Sequence, residues 1–214
     1  FGWATLAFVL WNALTIWWIW YATPVGPPAA TLASTTMNMI AFMLFHTVSK
    51  KAPKALAYVT LVTAWITTEY WYTVGDFSWP WLILGNGFSH EVWAVQWYEY
   101  MGVFGGTLWV LLSNILIFEA LQASRSTRRW AAAACSVALP MIASLCIWQS
   151  WEQPDEGTAR VSVIQPNVDC YDKFHGDTQR QERNIADLMA EVPAGAQFIL
   201  LPETAVPGDY LEPG

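Results

Sequence analysis

The stretch QFILLPET places one acid, Glu203, directly after an apolar run of Phe198, Ile199, Leu200, Leu201 and Pro202. The chemistry open to a lone carboxylate is to take up or release a proton. The three cysteines, Cys135, Cys146 and Cys170, show neither a CxxC pair nor zinc-ligand spacing, so neither a disulfide framework nor a metal site is indicated. Cys135 and Cys146 fall in an apolar segment and read as small apolar residues. Cys170 lies in a loop without the strand-to-helix elbow that a nucleophile needs, and reads as an ordinary loop thiol. No cofactor is expected.

The elements that must carry Glu203 follow from the neighbouring pattern. ARVSVIQ, residues 159–165, is a short β-branched run that predicts a strand, and QPNVDCYDKFHGD after it a loop. TQRQERNIADLMAEV, residues 178–192, predicts a helix capped by Asp177, with Ile185, Leu188 and Met189 on one face. PAGA breaks that helix, and QFILL is a second strand. A strand–helix–strand unit of this kind has parallel strands and a right-handed connection. Parallel strands are buried on both faces, which accounts for the continuous apolar run. Ligands bind beyond the carboxyl ends of such strands, and Glu203 occupies that place. A Glu after a strand is also often a solvated loop acid, so location alone leaves both roles open.

The rest of the chain has a different character. Of 214 residues, 55% are apolar, 15 are Trp and only 13% are charged, against about 25% charged in an average soluble domain. Residues 1–151 carry six basic and five acidic side chains, whereas the remainder carries four basic and twelve acidic ones. The net charge of -7 therefore belongs to the tail and argues against nucleic acid as a partner, which requires a basic face. Five apolar segments run over roughly 1–21, 28–49, 55–74, 101–121 and 130–149. About 20 residues at ~1.5 Å rise cross the ~30 Å hydrocarbon layer, so each is long enough to span. Phe1 opens inside the first segment without a charged n-region, so this is no signal peptide and the chain is expected to begin mid-protein.

All six basic residues of this half lie in two short loops, Lys50, Lys51 and Lys54 in one and Arg125, Arg128 and Arg129 in the other. By the positive-inside rule both face the cytoplasm. Five alternating crossings then put residues 22–27, 75–100 and everything after Trp151 on the outer side, with Trp17, Trp18, Trp20 and Tyr21 at the outer interface. The outer loop is rich in Trp, Tyr, Leu and Phe, yet Pro80, Gly85 and Gly87 break any spanning helix. It either lines a lipid-facing cavity or anchors the bundle at the interface. Glu69, about one turn inside the outer end of its helix, reads equally as functional or structural. Asn12, Asn38, His46 and Asn114 read as interhelical hydrogen-bond partners, and GVFGG at 102–106 as a site of close helix approach.

A strand ending in Gln-x-Asn, followed about forty residues later by one ending in Pro-Glu-Thr, resembles the start of a nitrilase-superfamily domain. Behind a bundle containing SWPWLILGNGF and QWYEYMGVFGG, it resembles the apolipoprotein N-acyltransferase family, particularly its Bacteroidetes-type form. The fold implied is a membrane α-helical bundle over 1–151 with an interfacial outer loop at 75–100, a linker at 152–158, and from 159 to 214 the first βαβ portion of a nitrilase-like α/β sandwich. The activity implied is N-acylation of the diacylglyceryl-cysteine at an apolipoprotein N-terminus, with a phospholipid as acyl donor and a cysteine thioester as intermediate. It belongs to the bacterial cytoplasmic (inner) membrane, with the nitrilase-like domain on the periplasmic side and membrane lipids as partners.

On this resemblance Glu203 matches the general base of a Glu-Lys-Cys triad. Phe174, in Lys173-Phe174, matches an aromatic that helps gate the acyl cavity. Trp81, with Trp79 in WPW, would line the lipid entrance, and Glu69 joins the substrate-binding set. The family usually places seven helices before the nitrilase-like domain and one after it; here five precede it. The Lys and nucleophilic Cys of the triad are expected beyond Gly214, so residues 1–214 alone are expected to be inactive. Two other readings stay open. One is a membrane-tethered nitrilase relative of different specificity, which would use Glu203 but not Trp81; the other is a transporter or structural bundle with an outer binding domain.

Overall fold

The computed structural model describes residues 1–74, 78–123, 126–152, 157–169, 172–203 and 205. Within these limits Cys170, part of the outer loop (75–77), Arg125, most of the expected linker (153–156) and the tail from 206 lie outside the described residues, as do the side chains of Phe174 and His175. The chain divides into two compact units, Phe1–Glu152 and Gln153–Gly214.

The first unit consists of five long helices. Helix α1 (Gly2–Ile16) runs into a 3-10 turn, Trp17–Tyr21. Helix α2 (Gly26–Ser49) opens on Pro27 and Pro28, whose fixed φ and missing N–H suit a first turn. Helices α3 (Lys54–Val74), α4 (Tyr98–Gln122) and α5 (Thr127–Ser150) follow, and Ser126 caps α5 by accepting a hydrogen bond from the Arg129 amide at 3.4 Å. Four stretches, Gly2–Tyr21, α2, α4 and α5, are long and apolar enough to cross a membrane. The fifth expected crossing differs: α3 has 21 residues but is not among them. Its five threonines, three tyrosines and Glu69 dilute the aliphatic content.

Helix α3 lies between α2 and α4, while α1 packs on α2 and α5 on α4. Ala41, Trp65 and Leu111 bring α2, α3 and α4 together, with Phe8 and Trp11 of α1 packed against them. Trp11 stacks on Trp65 with ring centroids 6.3 Å apart. Asn12 donates to Thr35 Oγ1 across α1 and α2 at 3.1 Å, as an interhelical partner should. Asn114 instead donates to the Val110 carbonyl of its own helix, because its side chain points away from the neighbouring helices.

At one end of the unit a single carboxylate gathers three helices. Glu119, near the end of α4, pairs with Lys54 at the start of α3 and with Arg129 in the first turn of α5, and accepts a hydrogen bond from the Tyr58 hydroxyl. The two basic loops therefore share one end of the bundle. The loop from 78 to 97, at the other end of α3 and α4, is built from three 3-10 turns, Pro80–Leu82, Leu84–Phe88 and Val92–Ala94. Its proline and glycines prevent a longer helix.

The second unit contains β1 (Val161–Val163), the short helix α6 (Asp172–His175), α7 (Thr178–Ala190) and β2 (Phe198–Leu200). The strands pair in parallel, Val161 opposite Phe198 and Val163 opposite Leu200. Asp177 caps α7, its carboxylate accepting from the amides of Gln179 at 3.0 Å and Arg180 at 3.3 Å. The expected burial of the strands on both faces is not found: Val163 is 71% and Phe198 58% exposed. Two strands with α6 and α7 between them cover too little of the sheet, and among the described residues of this unit the buried apolar ones are Ile164 and Ile185.

Candidate functional site

The carboxyl ends of β1 and β2 carry the first cluster. Beyond β1 the chain turns through Gln165, Pro166 and Asn167, and Asn167 takes φ 50, a left-handed conformation that Asn tolerates better than most residues. A cavity of about 300 Å³ lies there, lined by Gln165, Asn167, Val168, Lys173, Gln181 and Pro202. Gln165, Asn167, Lys173 and Gln181 give it polar groups that can hydrogen-bond a ligand, beside an apolar part formed by Pro166, Val168, Pro202 and Ala205.

Glu203 follows Pro202 at the rim, exposed and in a turn. Lys173 of α6 donates from Nζ to the Glu203 backbone carbonyl at 3.1 Å. The position of α6 is itself set by α7, because the Gln181 amide donates to the carbonyls of Asp172 at 2.8 Å and Lys173 at 3.5 Å. Asn184 of α7 holds the other wall by donating to the Pro166 carbonyl at 3.2 Å. Asn167 is the Asn of the Gln-x-Asn pattern that ends the first strand, without a chemical role assigned to it from sequence, and Gln181 belongs to no motif. The signal for Gln181 was its place one turn into a helix with a clear cap, facing the loop that the cap closes.

The second cluster lies in the first unit. Trp81 is 60% exposed and meets Trp18, in the turn after α1, edge-on with centroids 5.4 Å apart. Trp79 is half-buried, and its backbone amide donates to the Tyr72 carbonyl of α3 at 2.8 Å. Glu69 is only 3% exposed. Its Oε1 accepts from Trp65 Nε1 at 3.0 Å and from the Leu84 amide at 2.9 Å, and its Oε2 accepts from Thr107 Oγ1 at 2.5 Å. Thr107 Oγ1 in turn accepts from the Gly85 amide at 3.2 Å, while the Tyr98 hydroxyl donates to the Gly85 carbonyl at 3.0 Å.

The glycines explain how the loop comes so close. A Cβ on Gly85 would collide with the Val103 carbonyl, and one on Gly106 with the Tyr98 hydroxyl. The GVFGG stretch therefore admits the loop and the Tyr98 ring against α4, a closer statement than the helix-to-helix approach expected from its composition. Gly102 also has φ 65, a kink inside α4 that a side chain would strain. Among the described residues no group of three His, Cys, Asp or Glu side chains could hold a metal ion. Glu203 and Phe174 thus belong to the second unit, and Trp79, Trp81 and Glu69 to the first.

Residues 1–116 match the family described as the apolipoprotein N-acyltransferase N-terminal domain. The chain belongs to that family. Among curated apolipoprotein N-acyltransferases, that of Chlorobaculum tepidum is 26% identical over 213 residues, covering 94% of this chain and 39% of its own length. That of Gloeobacter violaceus is 28% identical over 156 residues, covering 71% of this chain and 29% of its own. The chain thus spans less than two-fifths of the apolipoprotein N-acyltransferases it matches. No solved structure matches it. The stretch matching the apolipoprotein N-acyltransferase N-terminal domain contains Glu69, Trp79, Trp81, Gly85 and Thr107, so the whole anchored loop lies inside it.

Proposed function

We propose that the chain is the membrane bundle and the opening strand–helix–strand of an enzyme that N-acylates apolipoproteins at the bacterial inner membrane. The acyl donor is a phospholipid and the acceptor is the α-amino group of an N-terminal diacylglyceryl-cysteine. Membership of the apolipoprotein N-acyltransferase family, joined to an acid at the carboxyl end of a parallel strand pair, carries this conclusion. Residues 1–151 form the bundle with its interfacial loop at 75–100, 152–158 the linker, and 159–214 the start of a nitrilase-like sandwich. The meeting of both basic loops at Glu119 supports a common cytoplasmic end, and hence a periplasmic site.

In this mechanism Glu203 is the general base for a cysteine thiol that, like the triad Lys, is not among residues 1–214. Glu203 takes the thiol proton, and the thiolate attacks the donor ester carbonyl. The C–O bond breaks, a thioester forms, and Glu203 returns the proton to the leaving alkoxide, releasing lysophospholipid. The lipoprotein amine then attacks the thioester, Glu203 accepts its proton, and the thiolate leaves to be reprotonated. The polar cavity beside Glu203 would orient the reacting groups, Trp81 and Trp79 would line the lipid entrance, and Phe174 would help gate the acyl cavity.

The deciding experiment is Glu203→Gln in the full-length protein, with acyl adducts detected by mass before and after hydroxylamine, which cleaves thioesters. Loss of the adduct and a fall in transfer of about 10²-fold or more are expected, the usual contribution of a general base. Undiminished transfer by the variant overturns the assignment. Purified residues 1–214 are expected to transfer no acyl chain.

A further inference from the structure

The loop from 78 to 97 forms only short 3-10 turns, so many of its backbone groups need partners from elsewhere. Three helices supply them. Glu69 of α3 takes the Leu84 amide, Thr107 of α4 takes the Gly85 amide, and Ser144 of α5 takes the Gln96 amide at 2.5 Å. Thr107 and Ser144 are fully buried, and Glu69 nearly so. Buried polar groups are costly in an apolar surround unless paired, and here each is paired to the same loop or to its anchors.

An interfacial anchor that only set the depth of the bundle would need the exposed aromatics, not a buried carboxylate with three donors. Leu84 and Gly85 stand three and four residues after Trp81. Trp81 sits in the turn Pro80–Leu82 and Leu84 opens the next one, with only the extended residue Ile83 between the two turns, so fixing the two amides constrains the base of the Trp81 side chain. Trp81 then meets Trp18 in the turn after α1.

We propose that Glu69 is a positioning residue: its carboxylate contacts no substrate but, directly through Leu84 and indirectly through Thr107 and Gly85, it sets the loop that holds Trp81 against Trp18. This rests on Trp81 lining the lipid entrance. Glutamine at 69 keeps an acceptor for Trp65 and Leu84 but offers an N–H to Thr107, whose hydroxyl already accepts from Gly85. Alanine removes both acceptors. The disturbance therefore grows from wild type through Glu69→Gln to Glu69→Ala.

Hydrogen exchange read by mass spectrometry, on the full-length protein in phosphatidylcholine nanodiscs, tests the loop. Peptides covering 79–90 are expected to exchange about tenfold faster in Glu69→Ala and Thr107→Val, and less so in Glu69→Gln, with α1 and α2 unchanged. Unaltered exchange at 79–90 in Glu69→Ala, or equal loosening of every helix, overturns the proposal. Transfer kinetics test the connection to Trp81. Glu69→Ala is expected to raise KM for the phospholipid donor more than it lowers kcat, and adding it to Trp81→Ala is expected to do no further harm. Additive effects of the two substitutions overturn action through Trp81. If Trp81→Ala leaves transfer intact, it is the lipid-entrance role of Trp81 that fails, while the exchange data still decide the role of Glu69 in the loop.

Discussion

Lys173 Nζ reaches the backbone carbonyl of Glu203 at 3.1 Å, so the turn carrying the candidate base is held by a residue thirty positions earlier in the chain. Behind Lys173 stands Gln181, whose amide fixes the carbonyls of α6. The backbone of the turn that carries the acid is thus held by a short relay from α7 through α6 to the end of β2.

Replacing Lys173 by Met removes the donor and keeps most of the side-chain bulk. Transfer by the full-length protein is expected to fall by roughly tenfold or more, because small misplacements of a catalytic group are costly. The fold, followed by circular dichroism, is expected to persist. Equal activity of the variant would show that the turn is held by other contacts.

Asp177→Ala removes the acceptor for two amides at the start of α7. The cost is about 1 kcal/mol, and Asp177→Asn or Asp177→Ser should recover most of it. Hydrogen exchange at residues 178–182 is the direct measure, since the first turn frays first. Gln181 lies in that turn, so slower acyl transfer should accompany the fraying.

Gly106→Ala drives a methyl group into the Tyr98 hydroxyl and its ring carbon. Overpacking of this kind costs about 1–3 kcal/mol. Combining it with Tyr98→Phe removes the atom in closest conflict, so the double variant should melt above Gly106→Ala alone. Thermal unfolding in detergent distinguishes the three proteins.

Glu119 serves Lys54, Tyr58 and Arg129 at once. Glu119→Ala should therefore lower the melting temperature more than Lys54→Ala does. In the Glu119→Ala background the Lys54 substitution should have little further effect, which a double-mutant cycle reads directly. Added salt should shrink the effect of either substitution, since the cluster is partly exposed.

Most of the architecture was legible in the local pattern. The lengths of the apolar segments, the basic residues between them, the cap at Asp177 and the β-branched runs around 161 and 198 are consequences of residue type and near-neighbour spacing, and the elements they predict form there, whereas the short helix α6 lies in a stretch expected to be a loop. The crossing over 55–74 was read from length, but threonines, tyrosines and one acid make α3 less apolar than its neighbours, a difference only side-chain composition weighed residue by residue reveals. The place of Glu203 at a strand end was likewise visible, because parallel topology follows from the order of elements.

What needed the tertiary structure were contacts between residues far apart in the chain. Glu69 and Thr107 are 38 positions apart and Lys173 and Glu203 are 30 apart, so no local period links either pair. From its type alone Glu69 was as plausible at a site as in a scaffold. Burial with three donors aimed at its two oxygens settles its surroundings, because hydrogen bonds depend on ångström-scale placement that hydrophobic patterning does not encode. Pattern places elements, whereas packing decides which polar atoms meet between them.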